Sequence, residues 1–514
     1  MAPPEMSMTD SLTPERPTET GEPTYSRPLP GQKRGEPDPG SSGVRLLTWL
    51  VLVPAFLMVV GLQQFSVFSA SQTAIQEAQE IRPAGKADTF GLMSRFAVKI
   101  DRASRELSGK EGPDMNTTTL MTSVRDSATS PADQVRVAIV AGEMLGADEA
   151  DESLAEAEVV LENLGEFLEE NYLTGLAEDI ASLRRLYAGE SLTPEERQRL
   201  IDHHGWHGRV ALSFGRDNDD PERKELLSGG LTLVLGLAAF GFVVVLALLG
   251  GLAAFIVLMV KLGSDRLRMR FVAPSPGGSV YLETFAVFVC LFLGMQLVGA
   301  LVGQGLPSWA QYGLQWLVLP AIFWPLLRGV GLSRWRQDMG LVLPEGLFRE
   351  IGAGLFVYLA SIPVYLAAAL LGLALVFLRG VFFQVVSPSA PPAVEPPMSN
   401  PVIDLIDSSD PASLIVLASL VTLWAPIVEE LVMRGALYRH LRSRARFIVA
   451  ALTSALLFGL LHQYDVFLML PVMALGGMFA LIREWRGSVL GGVLAHAVHN
   501  TAIFGLIAWI VSTA

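Results

Sequence analysis

Long apolar runs separated by polar stretches set the first expectation for this chain. A helix needs about 20 predominantly apolar residues to cross a hydrocarbon core about 30 Å thick. Nine runs reach or approach that length, at 46–68, 231–260, 282–302, 312–327, 351–378, 414–437, 447–462, 467–482 and 489–511. The fourth, seventh and eighth are the shortest. The pattern predicts an all-α polytopic membrane protein with about nine transmembrane helices. Of the 514 residues 51% are hydrophobic and only 17% charged, which fits spans in lipid better than one very large soluble core.

The polar stretch between the first two runs, residues 70–226, has its own pattern. Leu154, Leu161, Leu164 and Leu168 recur at helical spacing with glutamates opposite. In "LTPEER", Thr193 has the place of an N-cap, Pro194 of a first-turn proline and Glu196 of the return partner in a capping box. A helical unit of domain size is expected here. It holds 31 Asp and Glu against 17 Lys and Arg, a net charge of −14 (17 − 31), while the whole chain is −13. The acidity is therefore local. It could steer a basic ligand or partner, and it equally suits a solvated helical surface. Nowhere does the charge balance suggest nucleic-acid binding. His203, His204 and His207 in "DHHGWHG" could converge on a metal, or cluster at a turn marked by Gly205 and Gly208.

These boundaries divide the chain. Residues 1–44 are rich in Pro, Ser, Thr and Glu and read as a disordered tail. Residues 45–69 form a transmembrane anchor, 70–226 the acidic helical insert, 227–262 a second transmembrane helix, and 281–514 a compact core of seven spans. About 44 polar residues precede the first run, so an uncleaved signal anchor is expected rather than a cleaved peptide. Basic residues flank alternate loops: Lys33, Arg34 and Arg45; Lys261, Arg266, Arg268 and Arg270; Arg328, Arg334 and Arg336; Arg439, Arg442, Arg444 and Arg446; Arg483 and Arg486. All fall on one side if the amino terminus is cytoplasmic, which makes the insert extracytoplasmic. The loops at 304–311, 381–410 and 463–465 are nearly free of basic residues. The lone cysteine, Cys290, forbids a disulfide within the chain.

Ionisable groups at membrane depth cost about 2.5–3.5 kcal/mol each, so each needs a reason. In the last four runs they are few: Glu429, Glu430 and Arg434 in the sixth, His462 ending the seventh, and His496 and His499, beside Asn500, in the ninth. Glu430 and Arg434 are i and i+4, stacked on one helical face and able to pair. Glu429 is turned about 100° away, with Met433 at its i+4 position. A carboxylate without a partner of its own is a candidate general base. His496 and Asn500 are also i and i+4, and both can donate to a developing oxyanion. Other readings of the same residues are structural glue between helices, a proton or ion path in an ion-coupled transporter, or the shell of a non-catalytic scaffold or receptor. A transporter would be expected to show internal symmetry and polar residues spread over several spans, and neither is visible.

The three motifs occur in order on successive runs: "EELVMR" (EExxxR), "FGLLH" (FxxxH, Phe458 to His462) and "HAVHN" (HxxxN, His496 to Asn500). Residues 414–511 thereby resemble the type II CAAX prenyl endopeptidase and bacteriocin-processing (CPBP) family of intramembrane proteases, with a looser fit back to 282. Met433 departs from the aromatic residue common in that family before the arginine. The resemblance implies hydrolysis of membrane-associated proteins or peptides, with Glu429 activating water, His462 as its partner, His496 and Asn500 stabilising the tetrahedral intermediate, and Glu430 with Arg434 holding the site together. His499 lies outside the pattern. Glu429, His462 and His496 could instead ligate zinc, since two histidines and a carboxylate form a known catalytic set. Using Glu429 as a ligand would remove it as base, so a metal-free site without cofactor is the favoured expectation. Nothing in the sequence points to prenylated substrates. A bacterial cytoplasmic (inner) membrane is expected, with access from the cytoplasm or inner leaflet.

Overall fold

The computed structural model describes residues 35–514, apart from 78–80, 82, 85–87, 110–114, 165–167, 265, 303–304, 387–405, 407–409 and 514. Regular structure among the described residues is helical, with one isolated bridge pairing Gly35 with Pro274. The loop expected at 381–410 lies mostly outside the described residues.

Helix α1 (Ser42–Glu77) leads into eight shorter helices: α2 (Thr89–Ser108), α3 (Met115–Ser127), α4 (Pro131–Leu145), α5 (Ala147–Leu164), α6 (Glu170–Tyr187), α7 (Pro194–His204), α8 (Trp206–Leu212) and α9 (Pro221–Leu227). Amphipathic faces drive their association, because α2 to α8 enclose a shared core that includes Val135, Ile139, Leu154, Leu176, Leu183 and Leu200. Thr193 and Glu196 close the capping box that the sequence predicts, Thr193 Oγ1 accepting from the Glu196 N–H and Glu196 returning to the Thr193 N–H.

The "DHHGWHG" histidines belong to this core. Asp179, with no exposed side-chain surface, meets His203 Nδ1 at 2.6 Å and His204 Nε2 at 3.2 Å, and accepts from Arg199 Nε at 3.0 Å. His207 Nε2 instead meets Ser94 Oγ at 2.8 Å and stacks on Phe90. With two histidines turned to one aspartate and the third to a serine, they do not converge. Among the described residues no three His, Cys, Asp or Glu side chains are grouped to hold a metal ion. Burial pushes the His204 and His207 imidazoles down from their ordinary range. Asp179 is raised by burial, but its bonds to and the charge of His204, and after it His203, more than offset this and hold it below the usual carboxylate range.

The remaining chain forms a helical bundle: α10 (Gly230–Gly263), α11 (Val280–Val302), α12 (Ser308–Leu314) running through a 3₁₀ stretch into α13 (Trp324–Leu327), α14 (Leu332–Met339), α15 (Leu347–Val386), α16 (Pro411–Arg442), α17 (Phe447–Leu460), α18 (Leu470–Arg486) and α19 (Leu490–Thr513). Six described helices are long and apolar enough to cross a membrane, those containing α1, α10, α11, α15, α16 and α19. A seventh is added if the broken pair Ser308–Leu327 and Leu332–Met339, bent by 119°, is one span. The other expected spans fall on shorter elements. Helix α17 has 14 residues, about 21 Å at 1.5 Å per residue, which is short of a bilayer core. Helix α18 carries Arg483, Glu484 and Arg486 in its last turn.

Two ends of the bundle can be told apart by their contacts. At one, the starts of α1, α11 and α19 meet the finish of α16. Asp38 bonds Arg439 at 2.8 Å, Arg439 reaches Asp338 at 2.9 Å, Arg45 and Arg444 donate to the Gly277 carbonyl, and the Val489 N–H bonds the Gly340 carbonyl. Residues 35–41 lie against the bundle, where Asp38 is a counter-charge to the buried Arg439. Residues 1–34 are outside the described residues. At the opposite end, Gln63 and Gln64 late in α1 donate to the carbonyls of Leu461 and Tyr464, and Lys99 of α2 donates to the Thr513 carbonyl at 2.7 Å. The helical insert thus sits at the finish of α19, and the arginine clusters at 439–446 and 483–486 sit at the far end.

Candidate active site

The local backbone of α16 is irregular where the charges stand. Two π-helical stretches, Leu420–Trp424 and Leu431–Leu437, bracket a short α-helical segment, Ala425–Glu430. Such widened turns are rare in helices and frequent at functional sites. Asn500 Nδ2 donates to the Val421 carbonyl at 2.9 Å, within the first widened turn. That bond ties α19 to α16 and occupies one amide hydrogen of Asn500, leaving the other hydrogen and the amide oxygen.

Glu430 and Arg434 pair as their spacing predicts. Arg434 Nη1 donates to Glu430 Oε1 at 2.8 Å, and neither side chain is more than 1% exposed. Arg434 Nη2 donates to the Gly476 carbonyl of α18 at 3.0 Å. The guanidinium also lies over the rings of Phe458 (4.4 Å) and Phe479 (5.3 Å), adding cation–π attraction in a desolvated setting. Glycines make this approach feasible. A Cβ on Gly476 would stand 3.1 Å from Arg434 Nη2, and one on Gly492 would stand 3.0 Å from Glu430 Oε2.

His496 is wedged between the two glutamates. Its Nδ1 is 3.3 Å from Glu430 Oε1 and its Nε2 is 3.9 Å from Glu429 Oε2. The ring stacks on Phe479 at 5.3 Å and edges Phe458 at 5.9 Å. Sequence spacing predicts only the pairing of His496 with Asn500 and of Glu430 with Arg434. The contact of His496 with both carboxylates comes from packing α19 against α16 at Gly492. Glu429 differs from its neighbour as the helical rotation implies, with a side chain 20% exposed. Its Oε2 is buried and accepts no hydrogen bond among the described residues.

His462 is placed by a turn just past α17 rather than inside a span. Its Nδ1 is 2.7 Å from the Phe458 carbonyl, and a carbonyl only accepts, so Nδ1 carries the hydrogen. A neutral ring then keeps Nε2 as an acceptor.

Glu429, His462, His496 and Asn500 all line one cavity of about 790 Å³, within the size range of ligand sites. His499, unassigned from the sequence, lines it too, its ring edged by Tyr358 and Tyr365. Trp424, Tyr365 and Tyr464 add aromatic walls. The sequence signal for His499 is its share in the crowding of histidines, four of seven, into the last 75 residues. Glu430 and Arg434 do not reach the cavity and support it from behind. For zinc the fit is poor: Glu429, His462 and His496 are not grouped as a metal would require.

Residues 411–502 match the family model of the type II CAAX prenyl endopeptidases, Rce1-like. The match agrees with the resemblance carried by the three motifs in this stretch, and that family implies a membrane protease. No curated protein and no solved structure matches the chain.

Proposed function

We propose that the protein is an intramembrane endopeptidase that hydrolyses peptide bonds of membrane-associated proteins or peptides, with Glu429 as the base that activates water. The observation that carries this reading is that Glu429, His462, His496 and Asn500, from three separate segments, line one cavity. The Glu429 side chain is partly exposed, and a carboxylate there can accept a water hydrogen, with His462 Nε2 offering a second acceptor to orient it.

In the proposed reaction Glu429 takes a proton from water as the water oxygen attacks the peptide carbonyl carbon. The carbonyl electron pair moves onto oxygen, where His496 and the remaining amide hydrogen of Asn500 are the donors in reach of the cavity. Collapse breaks the C–N bond, and the proton held by Glu429 passes to the leaving nitrogen. Glu430 and Arg434 keep His496 and α16 in place. No step of this proposal runs through a metal, and activity of the purified protein is expected to survive chelators.

Replacing the base by its amide removes proton transfer while keeping shape, a loss of about 10²–10⁴-fold. The test compares new protein termini in membranes of cells carrying the wild-type chain or Glu429→Gln. Termini confined to the wild type support the reading and name the substrates. Identical lists from two equally abundant, folded proteins reject it in favour of a non-catalytic scaffold.

A further inference from the structure

The position of the cavity along the bundle has a direction. Helices α11, α15 and α19 run from the arginine-rich end towards the insert end, and α16 runs the opposite way, finishing at Arg442 beside the arginine clusters. On α11, α16 and α19 the cavity walls come from one half of the helix. On α16 they are Leu417, Leu420, Val421, Trp424, Ala425 and Glu429, which step from Glu429 away from Arg442. On α19 they run from His496 through Asn500 to Phe504, towards Thr513. On α11 they run from Phe292 to Gly299, in the half nearer Val302. Gln311 and Tyr312 just beyond α11, and Tyr464 in the turn held by Gln64, complete the wall.

Every wall therefore leads from the carboxylate towards the end where Lys99 of the insert meets Thr513. In the opposite direction the path from Glu429 is filled. Glu430, Arg434, Tyr438, Arg439 and Arg442 are buried there: Glu430 pairs with Arg434, Arg439 with Asp38 and Asp338, and Arg442 with Glu484, which also accepts from the Tyr438 hydroxyl.

We infer that the cavity takes its substrate from the membrane face that carries the acidic helical insert, not from the face that carries the arginine clusters. Where those clusters mark the cytoplasmic side, as their bias suggests, this reverses the inner-side access expected from the sequence. The substrate class is then a membrane-anchored polypeptide whose scissile bond lies in, or just beyond, the leaflet on the insert side. This substrate class rests on the proteolytic reading, whereas the direction of access does not.

The test uses single cysteines in the full chain after Cys290→Ser. Gly299→Cys places a thiol in the cavity wall, where a Cβ meets nothing within 4 Å. Ser191→Cys marks the insert and Gly331→Cys the opposite face, both at exposed positions. A membrane-impermeant maleimide is applied to intact cells and, separately, to inverted vesicles. The expected result is that Gly299→Cys reacts from the side that labels Ser191→Cys, with the Gly331→Cys thiol reacting from the other. The same labelling is expected in a Glu429→Gln background, so loss of proteolysis and loss of access are told apart. Labelling of Gly299→Cys from the Gly331 side only, or only once detergent has dissolved the membrane, overturns the inference.

Discussion

Arg434 meets a carboxylate, a backbone carbonyl and two aromatic faces with a single guanidinium. Lysine is a poor substitute here, since it offers no planar fork and no stacking surface. Arg434→Ala leaves Glu430 buried without its arginine, a loss of roughly 3–5 kcal/mol. The double change Glu430→Leu with Arg434→Leu removes both charges and is expected to destabilise less than the single one, read from thermal melts of the detergent-solubilised protein. Of these residues the sequence revealed the i,i+4 pair, because that contact depends only on the turn of one helix. It did not reveal that His496 lies between Glu429 and Glu430, a contact that depends on how closely two helices pack at Gly492. Nor did it reveal that Asn500 commits one hydrogen to Val421, a carbonyl in a π-helical turn.

At the level of elements, the bundle is fitted together at small residues. Gly476→Ala would bring a Cβ to 3.1 Å from both Arg434 Nη2 and Phe458 Cδ1 and to 3.3 Å from the Ala455 Cα. Overpacking of this kind costs about 1–3 kcal/mol, and activity is expected to fall with it as α18 is pushed from α16. The insert has a separate sensitivity. Burial lowers the proton affinity of His204 and His207 in the fold, while in the unfolded chain they take up protons near pH 6.5. The unfolded state then binds more protons, so stability falls as pH drops below about 6.5. Asp179, whose carboxylate is favoured in the fold, adds to the loss at lower pH. His207→Phe should flatten the upper part of that pH profile, measured by protease resistance of the insert in the full chain between pH 7.5 and 5. Helix periodicity made α5 legible, and the Thr193 cap, which starts α7, is a local rule that tertiary contacts did not override. The two runs the sequence marks among the shortest became α17, of 14 residues, and α18, with charges in its last turn, because hydropathy does not fix where a helix ends.

Across the whole molecule, hydropathy located every helix that is long enough to span, while it could not say where the cavity would point. That depends on which halves of α11, α16 and α19 stand apart, a property of assembly rather than of any one segment. The insert is tied to the same assembly. Lys99→Met removes its bond to the Thr513 carbonyl and is expected to raise hydrogen exchange in the last turn of α19 without altering the core of the insert. The Glu430–Arg434 pair has a consequence of a different kind, in biosynthesis. The ribosome delivers α16 before Gly476, Phe479, His496 or Asn500 exists, so the partners that later surround its charges are absent when it first meets lipid. At that moment Arg434 and Glu430 can answer only each other, one turn apart on the same helix. The segment brings its own counter-ion to the translocon, and a variant that loses Arg434 meets its first difficulty during insertion, before there is any bundle to destabilise.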